Sequence, residues 1–136
     1  MATHNQAKLA EYRLLFGGRS WRLVSLNDLG ITHRVAEVGA SFEENAIAKA
    51  KAYRDLSHLL TLAEDSGLMV DVLGGEPGVL SARYAGEGAS DAQRIACLLK
   101  KLGGLPWPQR TAHYQCALAL ASPDGRLALF SGQCRG

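Results

Sequence analysis

Two acidic side chains stand next to each other in the segment Glu64-Asp65-Ser66-Gly67, and apolar runs lie on both sides of it. Adjacent carboxylates at the ends of apolar strands are costly unless a cation is bound beside them. Mg²⁺ takes one or two carboxylates together with phosphate oxygens of a substrate. A carboxylate that does not bind the metal can deprotonate water for attack on phosphorus. The segment indicates metal-assisted phosphate chemistry, and a solvated acidic turn is the alternative.

A second candidate site lies at the start of the first expected helix, where Thr3, Asn5 and Lys8 cluster. The unpaired amides and the positive dipole of a helix start attract phosphate. Lys8 adds a charge and Thr3 a hydroxyl. The cluster lacks the glycines of a P-loop, so helix capping by Thr3 or Asn5 is the alternative.

Further polar residues precede and follow the second expected helix. Glu37 could supply a third carboxylate or be a solvated loop acid, while Asn45 in the first helical turn is interpreted as a local hydrogen-bonding residue. Arg83, after a glycine-rich loop, could meet phosphate with its forked donors or hold a backbone turn by the same donors. The four histidines show no ligand spacing, so a zinc site is not expected.

The elements that must position these residues alternate between helices and strands. Helical spacing predicts a first helix over residues 6–16, and the pairs Ser41/Glu44 and Ser90/Gln93 predict capping boxes that open two more. On the second helix Lys49 is expected to face solvent. Strands are expected at residues 21–26, 59–63, 68–73, 113–121 and 126–130, the last two as a hairpin. This order predicts one α/β domain over residues 1–136, with a mixed, twisted sheet flanked by helices.

Composition narrows the possible partners. Fifteen Lys and Arg against thirteen Asp and Glu give a net charge of +2, too balanced to predict a nucleic-acid surface. Cys97, Cys116 and Cys134 lack paired spacing and are expected to be reduced thiols. The sequence shows no apolar run long enough to cross a bilayer and no signal-like start. These features predict a cytoplasmic protein without a nucleic-acid or membrane partner.

Four segments, in this order along the chain, together resemble the signature segments of one enzyme family. It is the non-canonical purine nucleoside triphosphate pyrophosphatase family, also called ITPase or XTP/dITP diphosphatase. The segments are Ala2-Thr3-His4-Asn5-Gln6-Ala7-Lys8, Ser41-Phe42-Glu43-Glu44-Asn45-Ala46, Glu64-Asp65-Ser66-Gly67-Leu68-Met69-Val70-Asp71 and Pro77-Gly78-Val79-Leu80-Ser81-Ala82-Arg83-Tyr84-Ala85-Gly86.

The resemblance implies a cytosolic, Mg²⁺-dependent homodimer that hydrolyses dITP, ITP and XTP between the α and β phosphates, and so cleanses the nucleotide pool. Asp65 would be the proton acceptor and a metal ligand, with Glu64 and Glu37 as further ligands. Glu64 stands where the family most often has aspartate. The residues that would contact substrate are Thr3, Asn5, Lys8, Ser66 and Arg83.

Two departures from the family pattern give a second hypothesis. Relatives carry an apolar strand before the Thr-x-Asn segment, and further on an aromatic-Gly-Tyr-Asp loop and a Ser-His-Arg segment that contact the base; this sequence has none of them. The chain is therefore expected to be an incomplete version of the fold. The alternative function is an inactive remnant that serves as a binding or dimerisation module. A Maf-type pyrophosphatase is disfavoured, because it opens with a Ser-Pro-Arg-Arg-like segment.

Overall fold

The computed structural model describes all residues from 1 to 136, and a three-stranded sheet with the order β1-β2-β3 lies at its centre. Both strand pairs are antiparallel. The strands are β1 Thr61–Val70, β2 Ala112–Ala121 and β3 Leu127–Arg135. The predicted hairpin between β2 and β3 is confirmed, and β3 runs further than the expected strand. The α/β class with a helix-flanked sheet is also confirmed.

Three helices precede or interrupt the strands: α1 Gln6–Leu15, α2 Phe42–Ser57 and α3 Asp91–Lys101. Each begins where its cap predicts. Ser90 and Gln93 form the reciprocal capping box. At α2 the box is only half formed, because Ser41 accepts from the Glu44 amide while the Glu44 carboxylate accepts from the amide of Ala40. None of these helices combines the length and the apolar character needed to cross a membrane.

The core lies between α2 and one face of the sheet. The apolar side chains that the sheet contributes to this core are all alanines, which are small and let the helix pack closely. The buried helix residues are Phe42, Ala46, Ala50 and Tyr53, and the sheet residues are Ala63, Ala117, Ala119 and Ala121. This packing fixes α2 against β1, and with it every side chain at the border of the buried helical face.

Two of the predicted strand assignments are wrong. Residues 21–26 form no strand; the segment is anchored by the N-terminal ammonium of Met1, which donates to the Val24 carbonyl at 2.8 Å. Residues 59–63 and 68–73 were expected as two strands around an acidic turn, but Thr61–Val70 is one continuous strand. Cross-strand pairing with β2 continues through Glu64–Gly67 and overrides the local turn preference of these residues.

The outer edge of β1, away from β2, is paired only at its two ends. Antiparallel ladders alternate, so the even-numbered residues of β1 direct their backbone groups to this edge. The Leu62 carbonyl accepts from Ala2 at 2.7 Å, and the Leu68 amide donates to the Ser81 hydroxyl at 3.0 Å. Glu64 and Ser66, between them, have no backbone partner on this side. We call this stretch the open edge.

Candidate active site

The pleat of β1 separates the two neighbouring acids. Successive side chains of a strand point to opposite faces, so Asp65 faces α2 and Glu64 faces α1. Each acid lies in its own group of polar residues. The Asp65 cluster consists of Asp65, Asn45, Lys49 and Glu37, and the Glu64 cluster consists of Glu64, Lys8, Ser66 and Cys116. The two residues of the open edge, Glu64 and Ser66, belong to the Glu64 cluster.

The Asp65 cluster is built around a buried carboxylate. Asp65 is 8% exposed; its Oδ2 accepts from Asn45 Nδ2 at 2.9 Å and its Oδ1 from Lys49 Nζ at 3.3 Å. The same ammonium donates to Glu37 Oε1 at 2.6 Å. The two carboxylates therefore share one cation, which offsets the cost of placing both negative charges close together.

The expectation that Lys49 faces solvent is wrong, because its side chain is only 12% exposed. Asn45 and Lys49 are one helical turn apart and border the buried face of α2, so both reach β1 when the helix packs there. Sequence reasoning also missed the contact of Asn45 with Asp65. The signal that could have found both residues is their i, i+4 spacing beside the apolar face of α2.

The loop that carries Glu37 is held by two side chains. Arg83 donates from Nη2 to the Glu37 carbonyl at 3.0 Å, and Asn45 Oδ1 accepts from the Gly39 amide at 2.8 Å. Arg83 was open to two interpretations, a phosphate contact or a backbone contact, and the structure shows the backbone contact. Its contact with substrate stays a prediction. Through these bonds, the position of Glu37 depends on residues that are distant in sequence.

The Glu64 cluster holds a second buried carboxylate, which is 7% exposed. The Lys8 ammonium forms an ion pair with Oε1 of Glu64 and lies 3.3 Å from the Ser66 hydroxyl. Cys116 Sγ lies 3.5 Å from the other oxygen, Oε2. Lys8 therefore reaches the strand from α1 and is placed at the open edge, about one-third exposed to solvent.

Neighbouring groups near Glu64 remain protonated at neutral pH. Burial, and then the charge of Glu64 and its hydrogen bond, raise the pKa of the Cys116 thiol to about 11; the charge of Asp65 acts in the same direction. Burial and the charge of Glu64 also raise the pKa of Tyr12 well above its usual range. Both acids of β1 thus act on one thiol, although they lie on opposite faces of the strand.

Thr3 and Asn5 cap the start of α1. The Thr3 hydroxyl accepts from the Asn5 amide at 3.1 Å, and Asn5 Oδ1 accepts from the amides of Ala7 and Lys8 at 3.0 and 3.2 Å. The side-chain nitrogen of Asn5 makes no hydrogen bond within the chain. The predicted substrate contacts of both residues stay predictions.

The three acids predicted as metal ligands do not meet at one point. No group of three or more His, Cys, Asp or Glu side chains converges in a way that could hold a metal ion. Glu37 and Asp65 are close, because both contact Lys49, whereas Glu64 lies on the opposite face of β1 and is engaged by Lys8 and Cys116. The reason is the alternation of side chains along a continuous strand, which an acidic turn would not impose.

A cavity of about 340 Å³ lies between the start of α2 and the loop at residues 74–80, with Met69 and Gln115 in its lining. Neither Lys8 nor Asp65 lines it. This cavity is therefore not a site that the two clusters share.

The sheet packs against α2 and carries a buried acid–lysine pair on each face of β1, so the class of protein is α/β with a polar, charge-paired site. The chain belongs to the Ham1 family, whose model matches residues 1–136. The resemblance carried by the four sequence segments is thereby confirmed.

Curated relatives match this chain along its whole length. It is 46% identical to the dITP/XTP pyrophosphatase of Geobacter sulfurreducens and 47% identical to that of Geobacillus kaustophilus. Each alignment covers 100% of this chain, and 68% and 67% of the respective relatives. The chain therefore spans about two thirds of the length of these proteins.

Solved structures of similar proteins have the same fold. The Ham1 protein of Staphylococcus aureus superposes with a TM-score of 0.87 at 38% identity, covering 99% of this chain and 68% of that one. A HAM1 protein from Coxiella burnetii gives a TM-score of 0.89 at 33% identity, with 98% and 68% covered.

Proposed function

We propose that this chain hydrolyses the purine nucleotides dITP, ITP and XTP to the monophosphate and pyrophosphate, and so removes them from the nucleotide pool. The observation that carries the proposal is the buried Asp65 carboxylate, which Asn45 and Lys49 hold on one face of β1, while Lys8 lies on the other face. The names of the curated relatives support the same reaction. The alternative of an inactive remnant is not favoured, because relatives named for this activity match the whole chain.

In the proposed reaction, a water oxygen forms a bond to the α-phosphorus. The bond from that phosphorus to the α–β bridging oxygen breaks, and its electron pair leaves with pyrophosphate. Asp65 accepts the proton released by the water. Asn45 and Lys49 contact one carboxylate oxygen each, so the carboxylate is fixed in position before the substrate binds.

Donors at the open edge would bind the phosphates. Lys8 is placed there by Glu64, and the Ser66 hydroxyl lies within 3.3 Å of its ammonium. Asn5 caps α1 three residues before Lys8, and Thr3 bonds to the Asn5 amide, at a helix start that favours anions. An ammonium group held in place on a partly desolvated surface binds phosphate oxygens through charge-assisted hydrogen bonds.

The proposed cofactor is Mg²⁺, and Glu37 and Asp65 are the residues that would hold it. Each has a carboxylate oxygen within 3.3 Å of Lys49 Nζ, so the pair is already arranged around a cation. Oxygen donors of this kind suit Mg²⁺, which fills its remaining positions with water and phosphate. When bound, the ion would offset the negative charge of the triphosphate. Glu64 does not fit this pair, because it lies on the opposite face of β1, where it contacts Lys8 and Cys116.

Assembly and location are also part of the proposal: a homodimer in the cytoplasm. The support for a dimer is the exposed aromatic pair on the sheet face away from α2, Tyr114 of β2 and Phe130 of β3. The support for a reducing compartment is that all three cysteines are free thiols.

The function is tested by incubating the purified chain with Mg²⁺ and dITP, ITP, XTP or ATP, and measuring pyrophosphate and phosphate separately. We expect pyrophosphate from the first three at a higher rate than from ATP. Asp65→Asn retains the size of the side chain but cannot accept the proton, so kcat should fall at least about a hundredfold. Asp55→Asn, on the exposed surface of α2, is the matched control. Phosphate as the product, or full turnover by Asp65→Asn, would refute the proposal.

A further inference from the structure

Cys116 has no part in the reaction proposed above, yet its thiol lies within the Glu64 cluster. It is the β2 partner of Ser66 and therefore shares a sheet face with Glu64. Its Sγ is 3.5 Å from Oε2 of Glu64, while the Lys8 ammonium contacts Oε1. Each oxygen of this buried carboxylate thus has a side-chain donor of its own.

A buried carboxylate oxygen without a hydrogen-bond donor is energetically unfavourable. The carboxylate group therefore rotates to bring that oxygen into contact with water. Oε2 of Glu64 has no donor in the chain other than Cys116. The turning carboxylate would carry Oε1 with it, and the ammonium of Lys8 is bound to Oε1. A change at the thiol therefore reaches the lysine through one rigid carboxylate group.

We propose that Cys116 is a positioning residue, which holds Oε2 of Glu64 and thereby sets the place of the Lys8 ammonium at the open edge. This inference rests on the proposed function in one respect, namely that Lys8 binds the triphosphate. In this proposal Glu64 positions Lys8 and does not bind the metal ion.

The thiol is suited to this part because it carries its proton and can donate it. Its other contact, to the Ala117 carbonyl, is longer at 3.9 Å. A serine hydroxyl at the same position could also donate, although its shorter bond to Cβ reaches less far. Alanine has no donor, so the pair of variants separates the hydrogen bond from the space that the side chain fills.

Kinetics give the first test. If Lys8 binds the phosphates equally in the ground state and the transition state, its displacement raises KM and leaves kcat nearly unchanged. For dITP we expect Cys116→Ala to raise KM about fivefold or more, and Cys116→Ser to recover most of the loss. Cys134→Ala, a thiol removed from an exposed site on β3, is the control and should match wild type. Thermal melts establish that all variants are folded.

The second test needs no turnover. The ammonium protons of an ion-paired lysine exchange slowly enough for ¹⁵N-detected NMR, and loss of the signal in Lys8→Arg assigns it to Lys8. We expect the signal in wild type, Cys134→Ala and Cys116→Ser, and broadening in Cys116→Ala. A wild type that releases no pyrophosphate but shows this pattern would refute the proposed function alone. An unchanged Lys8 signal in Cys116→Ala, or an unchanged KM in an active enzyme, would overturn the positioning role.

Discussion

Lys49 connects the residues of the Asp65 cluster, because its ammonium is the one cation that contacts both Asp65 and Glu37. Glu37 comes from a loop and Asp65 from β1, so this contact also joins two parts of the chain. Without the ammonium, the two nearby carboxylates would repel each other and move apart. A displaced Asp65 could not accept the proton of the attacking water.

Lys49→Met retains most of the length of the side chain and removes its charge. We expect kcat/KM for dITP to fall about a hundredfold, because Asp65 loses a donor that holds it in position as the proton acceptor. Lys51→Met lies on the exposed side of the same helix and should stay within about twofold of wild type. Equal rates for the two variants would show that Lys49 takes no part in the reaction.

The sequence indicates Asp65, Lys8 and Glu37 by residue type and by resemblance, but not which of them are in contact. The partners of Lys49 are 12 and 16 positions away, and Cys116 is 52 positions from Glu64. Such contacts depend on how α2 packs on β1 and on the register of β1 with β2. Neither is encoded in the spacing of any single segment.

At the scale of the elements, the sequence predicts helix starts well, because the residues that cap a helix lie next to it in sequence. Helix starts follow from caps that lie within three residues of the amides they bind, and all three starts were predicted. Strands depend on distant partners. Residues 21–26 have strand-like alternation but find no neighbouring strand, whereas Glu64–Gly67 look like a turn and are paired along their length.

Gly67 lets the loop after β1 pack closely on the strand. A Cβ added there would lie 2.5 Å from the Gly78 carbonyl and 2.5 Å from the Ser81 hydroxyl. We expect Gly67→Ala to lower the free energy of unfolding by about 2 kcal/mol, because the backbone of the loop must move. Urea denaturation measures this change. Gly132→Ala on β3, where a Cβ meets nothing within 4 Å, should be close to neutral.

Glu76 connects the loop after β1 to α3, because it accepts from the Tyr84 hydroxyl at 2.6 Å and pairs with Lys101. The bonds from Lys101 and then Tyr84 lower the pKa of Glu76 below its usual value. A lowered carboxyl pKa gives stability that is present at neutral pH and is lost as the pH falls through the folded-state value.

The pH dependence of this contact is testable by thermal melts between pH 7 and pH 3. We expect wild type to lose more stability over this interval than Glu76→Gln, which cannot titrate. Glu87→Gln removes an exposed acid without such partners and should follow wild type. The difference should be small, because Glu76 is half exposed. Parallel curves for wild type and Glu76→Gln would contradict the assignment.

At the scale of the whole molecule, the two faces of the sheet are covered unequally. One face packs against α2, while the other carries exposed aromatic side chains, with Tyr114 and Phe130 more than half exposed. β3 is also an edge strand without a partner on its outer side. Exposed apolar groups and unpaired edges favour association with another chain.

Phe130→Lys places a charge on this surface at the edge strand. If the surface mediates dimer formation, we expect wild type to change from monomer to dimer with concentration, and Phe130→Lys to remain monomeric. Light scattering after size-exclusion chromatography measures both states. Leu14→Lys changes an apolar residue of α1 that is 83% exposed and serves as the control. A wild type that stays monomeric at all concentrations would refute the homodimer.

Because Glu64 and Asp65 point to opposite faces of the sheet, the number of β1 residues before them decides which acid faces α2. Deleting a single residue just before Glu64 would exchange the two sides, so that the aspartate would point toward α1 and the glutamate toward α2. Deleting two residues would restore the sides but displace both acids by roughly 7 Å along the strand. We therefore expect insertions and deletions within β1 to abolish activity. They should be tolerated in the surface turn at residues 122–126, which contributes no side chain to either cluster.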